Sequence, residues 1–369
     1  MTIRDVIHGD IKVENELIIQ LIETKEFQRL RNIKQLGLTY IIYPTTEHSR
    51  YMHSLGVYHL AKKMVNVLYQ KHKFNEEDIF ALVIASLLHD LGHGPFSHTS
   101  EEFFKFDHEQ KTVEIILNEK TQINQVLKKY KDQKFIDKIV SFIKKEHNDP
   151  ILNKVLSNTI DVDRMDYLLR DSYFAGVSYG EVDIDRIFNV IDIENNQLVF
   201  LEKGTKTIED FIMSRYNMFL QVYLNKKALC YEILVSNIFK RIKELVENNY
   251  EFKTDLKKLL PLLENNYSIL EYLDTNDNVF LNIIEDLCYE DDEKIKYLAS
   301  IFVNKQIKYN CPEEYCYKLT TKRYEKKIYN ESIMIKRKND IIKLEELSPL
   351  TNFIKNDIKI EQDAIEFYV

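Results

Sequence analysis

The chain has no tryptophan and only 8 glycines, 6 prolines and 4 cysteines in 369 residues. So little glycine and proline excludes collagen-like, linker-rich and turn-dense all-β architectures. The cysteines, Cys230, Cys288, Cys311 and Cys316, form no CxxC pair and no disulfide framework. Their spacing gives no basis for a zinc ribbon or a disulfide-stapled secreted domain, and a reduced, cytoplasmic setting is expected. No apolar run reaches the ~18 residues of a membrane span. The longest, residues 79–88, contains Ser86. The N-terminus carries Arg4, Asp5, Asp10 and Lys12 with no apolar stretch, which excludes a secretory signal there. Nor is there an excess of cations. With 51 Lys and Arg against 59 Asp and Glu, the net charge is -8, and the chain as a whole does not attract nucleic acid.

What is present is helical periodicity over a chain long enough for one large domain or two ordinary ones, with 44% hydrophobic residues to build a core. Helices are expected over 16–31, 54–70, 76–90, 109–118, 135–146, 152–171 and 208–247. The segment 76–90 opens with acids that suit a helix N-terminus and is then apolar on nearly every side, which predicts a central buried helix. It stops at Gly92 and Gly94-Pro95. Leu198 to Leu201, flanked by Asn195-Asn196 and Gly204, reads as the one β-strand before residue 249, in a small hairpin. Strand-like alternation returns at Ser332 to Lys336. The expected class is mainly α, with a mixed α/β C-terminal region. A soft boundary near Asn248-Asn249 divides a catalytic part, 1–248, from a C-terminal part, 249–369, assigned to packing and oligomerisation.

His89, His93, His98 and His108 fall within twenty residues, and His53 opens an earlier helix. A lone histidine is most often a satisfied core or surface residue. Burying His89 beside Asp90, however, is costly unless the charge is compensated. A divalent cation does that, and imidazole with carboxylate suits zinc, iron, manganese or nickel without separating them. Adjacent helical residues diverge by about 100°, so further ligands must come from elsewhere. His53 is one candidate. An aspartate of Asp161-Val162-Asp163-Arg164-Met165-Asp166 is another.

These residues resemble the HD-domain metal phosphohydrolases, whose signature is H…HD…D. The likeness is closer than that signature. Phe27 to Gly56 (FQRLRNIKQLGLTYIIYPTTEHSRYMHSLG), His89 to His98 (HDLGHGPFSH) and Asp161 to Asp171 (DVDRMDYLLRD) resemble the SAM-and-HD-domain deoxynucleotide triphosphohydrolases and their bacterial relatives. Ile3 to Ile11 (IRDVIHGDI) matches their opening pattern. No SAM-type module is expected ahead of that motif. The likeness covers roughly residues 1–230.

The resemblance implies a helical bundle around a metal held by His53, His89, Asp90 and Asp163. Iron, manganese, zinc, nickel and magnesium are not distinguished, and a further Mg2+ is implied on the nucleotide phosphates. It implies hydrolysis of a deoxynucleoside triphosphate to deoxynucleoside and intact triphosphate. Arg50, His93, Arg164, Tyr167 and Arg215 would contact phosphates. Arg164 stands where the family commonly has lysine, exchanging a point charge for a fork. His98 and His108 would serve proton transfer to the leaving oxygen, with Glu109 as an orienting carboxylate. Gln35 and Asp171 would hold the 3′ hydroxyl, while Leu36 and Tyr223 would crowd the 2′ position and reject ribonucleotides.

Gln28 and Arg31 match family positions that contact an activating nucleotide, and a homo-oligomer, dimer or tetramer, is implied. A phosphodiesterase or nuclease using the same centre, and a non-enzymatic nucleotide sensor, are the competing readings. The basic stretch Lys322 to Lys343 carries interleaved acids. That pattern reads as a solvated face ahead of a nucleic-acid site.

Overall fold

The computed structural model describes residues 1–308, 317–321, 324–329 and 331–368. Cys311, Cys316, Lys322 and Arg323 lie outside the described residues. The chain opens with an antiparallel hairpin, β1 (Thr2–Asp5) and β2 (Gly9–Lys12), in register from Thr2↔Lys12 to Asp5↔Gly9. The strand expectation had passed over this hairpin, whose strands of four residues are too short to show alternation.

Helices α1 (Glu16–Glu23) and α2 (Lys25–Arg29) replace the single helix expected over 16–31. Thr24 divides them: its backbone is extended, and its Oγ accepts from the Phe27 N–H to cap the second. The chain then runs through 3-10 turns at Leu30–Asn32 and Gly37–Ile41. Next come α3 (Arg50–Tyr69), α4 (Glu76–Leu88), α5 (His98–Phe104), α6 (His108–Leu117), α7 (Gln122–Tyr130) and α8 (Gln133–Ile143). As expected, α4 is central: Ala81 to Leu88 are all buried. It packs between α3 and α8, and α3 also packs against α10 (below).

The helix expected over 152–171 is two, α9 (Pro150–Leu156) and α10 (Val162–Ala175). Asp161 starts the second by accepting from the Asn158 and Arg164 N–H groups at 2.8 Å each. The break puts Asp163 in a first helical turn instead of mid-helix. Then follow α11 (Ile184–Val190) and the expected hairpin, β3 (Ile191–Glu194) with β4 (Gln197–Leu201). The expected 208–247 helix is also interrupted. It is α12 (Thr205–Met218), a π-helical turn at Phe219–Tyr223, and α13 (Lys226–Glu247), which Asn225 caps.

Beyond Glu247 lie α14 (Leu260–Leu263), α15 (Ile269–Leu273), α16 (Asp277–Asp286) and α17 (Glu293–Asn304), the last packed on α13. Two-stranded ladders join β5 (Lys318–Thr320) to β10 (Glu366–Tyr368) and β6 (Tyr324–Lys326) to β9 (Ile360–Gln362). Strand β7 (Met334–Arg337) runs parallel to β4 and antiparallel to β8 (Asp340–Lys343), so residues from both sides of the boundary expected near Asn248 share one four-stranded sheet. Of the basic stretch, Lys336 pairs with Asp192 and Glu194, across that sheet. No helix among the described residues is long and apolar enough to cross a membrane.

Candidate metal centre and active site

Three helices meet at the histidine-rich end of α3. His53 lies in the first turns of α3, His89 follows the end of α4, and Asp163 sits in the first turn of α10. Their ligand atoms lie within 4.8 Å of one another. His53 Nε2 is 3.0 Å from Asp163 Oδ1, and His89 Nε2 is 3.7 Å from it. Asp90 borders this group, with Oδ1 3.3 Å from His89 Nε2 and Oδ2 3.7 Å from His53 Nε2. Asp90 Oδ2 also accepts from Arg50 Nη1 at 2.6 Å, so it is shared between the ring nitrogens and a guanidinium.

Both rings are held from behind. His53 Nδ1 bonds Asp166 Oδ2 at 2.8 Å, and His89 Nδ1 bonds the Ser86 carbonyl at 2.9 Å. An acceptor at Nδ1 puts the proton there and leaves Nε2 as the lone-pair nitrogen. His89 Nε2 is buried beside Asp90 and Asp163 without a well-formed hydrogen bond to either, a state that calls for a partner. These residues therefore fit a divalent cation. Electrostatics agrees. Burial lowers the His53 pKa, but hydrogen bonds to Asp163 and Asp166 overturn this and carry it up to about 10. Burial opposes charge on Asp163 and Asp90 too. The His53 and His89 hydrogen bonds hold the first carboxyl below its ordinary range, and His89, Arg50 and His93 hold the second well below it. A pocket that favours a proton on imidazole this strongly favours a cation there for the same reason.

A second cluster adjoins the first. His93 Nε2 is 3.4 Å from Asp90 Oδ1, and its ring stacks on His108 at 4.0 Å. Burial, then Arg50 and His108, push the His93 pKa well below its ordinary value, so this ring is neutral. Glu101 accepts from His108 Nδ1 at 2.8 Å and from His98 Nδ1 at 2.9 Å. Burial would lower the His108 pKa, but the Glu101 hydrogen bond raises it. Glu109, expected to orient these rings, instead reaches Lys145 on the exposed side of α6. The orienting carboxylate is Glu101, three residues after His98 and on the same helical turn.

Asp171, Tyr223, His48 and Gln35 form a linked hydrogen-bonded group, and Leu36 packs against the core. Asp171 Oδ2 accepts from the Tyr223 hydroxyl at 2.8 Å, and its Oδ1 from His48 Nε2 at 2.8 Å. The Gln35 N–H bonds the His48 carbonyl, which ties the two sides together. Tyr223 reaches Asp171 from the π turn, and Tyr167 lies edge-on to it at 6.2 Å. Arg164 pairs with Asp161, and Arg215 Nη1 donates to the Ile328 carbonyl at 2.6 Å. The Nε groups of both arginines are buried without a partner. Gln28 and Arg31 lie apart from the centre. Arg31 Nε bonds Gln28 Oε1, and its guanidinium lies over Tyr51 at 3.6 Å.

The sequence reading passed over Glu101, His48 and Asp277, and it named Asp166 only among the candidate aspartates of its segment. Buried Asp277, at the start of α16, accepts from the Lys34 N–H at 2.9 Å and the Phe96 N–H at 2.8 Å. It clamps the Gln35 loop to the Gly94–Ser97 turn, where Phe96 and Ser97 have φ of 55° and 51°. Ser97 Oγ then bonds the Lys34 carbonyl and accepts from Arg50 Nε. Spacing could have suggested Glu101 and Asp166, which lie one turn from His98 and Asp163. Nothing near Asp277 marks it.

Residues 50–171 match the HD domain family model, a span that opens on Arg50 and closes on Asp171. The uncharacterized protein YwfO of Bacillus subtilis is 38% identical over 305 residues, covering 82% of this chain and 70% of that one. The chain belongs to the HD-domain metal phosphohydrolase family. A deoxynucleoside triphosphate triphosphohydrolase of Homo sapiens is 30% identical over 352 residues, covering 83% of this chain and 53% of that one. The chain thus spans about half the length of that relative. A phosphohydrolase of Bacteroides thetaiotaomicron has the same fold, with a TM-score of 0.86 and 25% identity over 100% of this chain and 98% of that one. For an HD domain a divalent ion is implied, and His53, His89 and Asp163 form a group that could hold it.

Proposed function

We propose that this HD phosphohydrolase hydrolyses deoxynucleoside triphosphates to deoxynucleoside and intact inorganic triphosphate. The observation that carries this reading is the set of buried, unpartnered donors beside the metal-type cluster. Arg164 Nε and Arg215 Nε have no protein acceptor, in a chain whose net charge is -8. Buried guanidinium N–H groups are kept for an anion when the protein supplies none. Arg50 and His93 add donors on the other side of Asp90. A terminal triphosphate has enough acceptors to meet all of them.

Residues His53, His89, Asp90 and Asp163 would hold the divalent ion. It would supply Lewis acidity at the α-phosphorus when bound. His108, kept protonated by Glu101, would give its Nε2 proton to the departing 5′ oxygen, with His98 as the second ring on the same carboxylate. The Asp171–Tyr223 pair would receive the 3′ hydroxyl, and Tyr223 with Leu36 would leave no room for a 2′ hydroxyl. Arg50, Arg164, Tyr167 and Arg215 would orient the phosphates, and Mg2+ would accompany them. A homo-oligomer with a nucleotide activator near Gln28 and Arg31 completes the reading.

The test is product analysis. Metal-loaded protein is incubated with each dNTP and NTP and the products are separated by anion exchange. Triphosphate and deoxynucleoside in equal amounts are expected. Pyrophosphate with monophosphate, or orthophosphate alone, would overturn the reaction. Cleavage of cyclic dinucleotides or oligonucleotides with dNTPs untouched would replace it with the phosphodiesterase reading.

A further inference from the structure

The N-terminal motif IRDVIHGDI has no part in the chemistry above, yet its hairpin turn reaches the back of the metal-type cluster. His8 Nε2 lies 2.7 Å from Asp166 Oδ1, and His53 Nδ1 lies 2.8 Å from Asp166 Oδ2. Asp166 is buried, with 0% of its side chain exposed. Both ring nitrogens donate to its carboxylate. Arg170 adds two more donors, Nε to Oδ2 and Nη2 to Oδ1, each at 2.9 Å. Two oxygens thus accept four hydrogen bonds, close to the full capacity of a carboxylate.

The hairpin also holds Arg170. Asp5 Oδ2 accepts from Arg170 Nη1 at 2.8 Å, and Asp5 Oδ1 accepts from the Ile7 and His8 N–H groups at 2.9 Å each. The same aspartate therefore shapes the turn that presents His8 and fixes the guanidinium that grips Asp166. A third observation is independent of these bonds. Gly56 lies one turn after His53, and a Cβ on it would come within 1.8 Å of Asp166 Oδ1 and 2.6 Å of Arg170 Nη2. Helix α3 is bare at that position, so the pair can seat against it.

We infer that His8 and Asp5 are positioning residues for the metal, setting its affinity from the N-terminal hairpin through Asp166 and the His53 ring. They touch neither metal nor substrate. Partners behind a ligand fix its tautomer and direction, and their loss typically costs about 10–100-fold in metal affinity. The inference rests on the family's metal, not on the choice of substrate.

The experiment is equilibrium competition of Mn2+ between a fluorescent chelator and the full-length chain. It compares wild type, His8→Ala, His8→Gln and Asp5→Asn, with Asp163→Ala as the ligand control, and adds apo-protein melts. Weakening of the Mn2+ Kd by about 10–100-fold in His8→Ala, with partial rescue in His8→Gln, is expected. The apo melting temperature of His8→Gln should stay near wild type. A folded His8→Ala that binds Mn2+ within twofold of wild type would overturn the assignment and leave the metal centre standing. If His8→Ala does not fold, His8→Gln and Asp5→Asn decide by the same ratio. Wild type that binds no more Mn2+ than Asp163→Ala would overturn both.

Discussion

Two histidine clusters lie side by side in this protein and differ in what stands behind them. In the first, His53 and His89 are backed at Nδ1 by Asp166 and the Ser86 carbonyl and face the Asp90 and Asp163 carboxylates at Nε2. In the second, His98 and His108 share one half-buried carboxylate, Glu101, and 76% of the His98 side chain is exposed. The residue types are the same. A ring held on both sides suits a cation that must stay. A ring with one carboxylate and an open nitrogen suits a proton that must leave. His93 stands between them, neutral because Arg50 and His108 crowd it.

The sharpest way to break this contrast is to remove a ligand from the first cluster. His53→Ala or Asp163→Ala should strip the divalent ion and lower turnover on the order of 10³-fold or more, given the several kcal/mol such an ion supplies. Elemental analysis with a rate assay checks it. Full metal content in both variants would end the assignment of this cluster.

The second cluster should respond differently. His108→Gln or Glu101→Gln should cost about 10²–10⁴-fold in kcat while metal content stays at wild-type level. The pH profile sharpens it. Glu101 raises the His108 pKa, so the acid form of His108 persists above the usual histidine value of about 6.5. The alkaline limb should lie above that value, and Glu101→Gln should move it down. The linked stability follows the same signs. The His108 contribution is full below about pH 6.5 and is lost as pH rises through the raised pKa. The Glu101 pKa is lowered: burial opposes the charge, and the His108 and His98 hydrogen bonds outweigh it. Its contribution is full above its unfolded value of about 4.3 and is lost as pH falls through the lowered pKa. An unmoved alkaline limb in Glu101→Gln would separate His108 from the proton transfer.

Asp277 tests whether the region beyond residue 248 matters to both clusters. Asp277→Asn should destabilise the fold by about 1–3 kcal/mol, because an amide cannot accept from two buried N–H groups as a carboxylate does. Denaturant melts measure it, and a loss under about 0.5 kcal/mol would mean the two loops hold without the clamp. The smallest effect is expected at Tyr223→Phe, which removes one hydrogen bond to Asp171 and leaves the ring in place. A dNTP KM raised severalfold with weaker discrimination against NTPs should follow. Unchanged selectivity would detach Tyr223 from sugar recognition.

Much of this was legible from the linear chain. The apolar run of α4, the acids at its start, and the hairpin around Asn195-Asn196 are local signals. Local signals survive without tertiary context. His89 with Asp90 was legible for a related reason, since burying His beside Asp demands compensation wherever the chain goes, while His53 and Asp163 were singled out by the family resemblance. Helix breaks were less visible. Thr24 ends one helix and caps the next, Asp161 and Asn225 each cap the helix after a break, and a polar residue in a periodic segment looks the same whether or not the backbone turns there. Those breaks decide function: one puts Asp163 in a first turn, and another carries Tyr223 to Asp171.

By itself the sequence determined the helical class, the central buried helix and which histidines and aspartates needed company, because burial and period act over a few residues. Only the folded molecule decided which carboxylate serves which ring. Asp166 and Asp277 reach His53, His8, Lys34 and Phe96 across distances in the chain that no local pattern records, and hydrogen-bond geometry, not composition, chose Glu101 over Glu109.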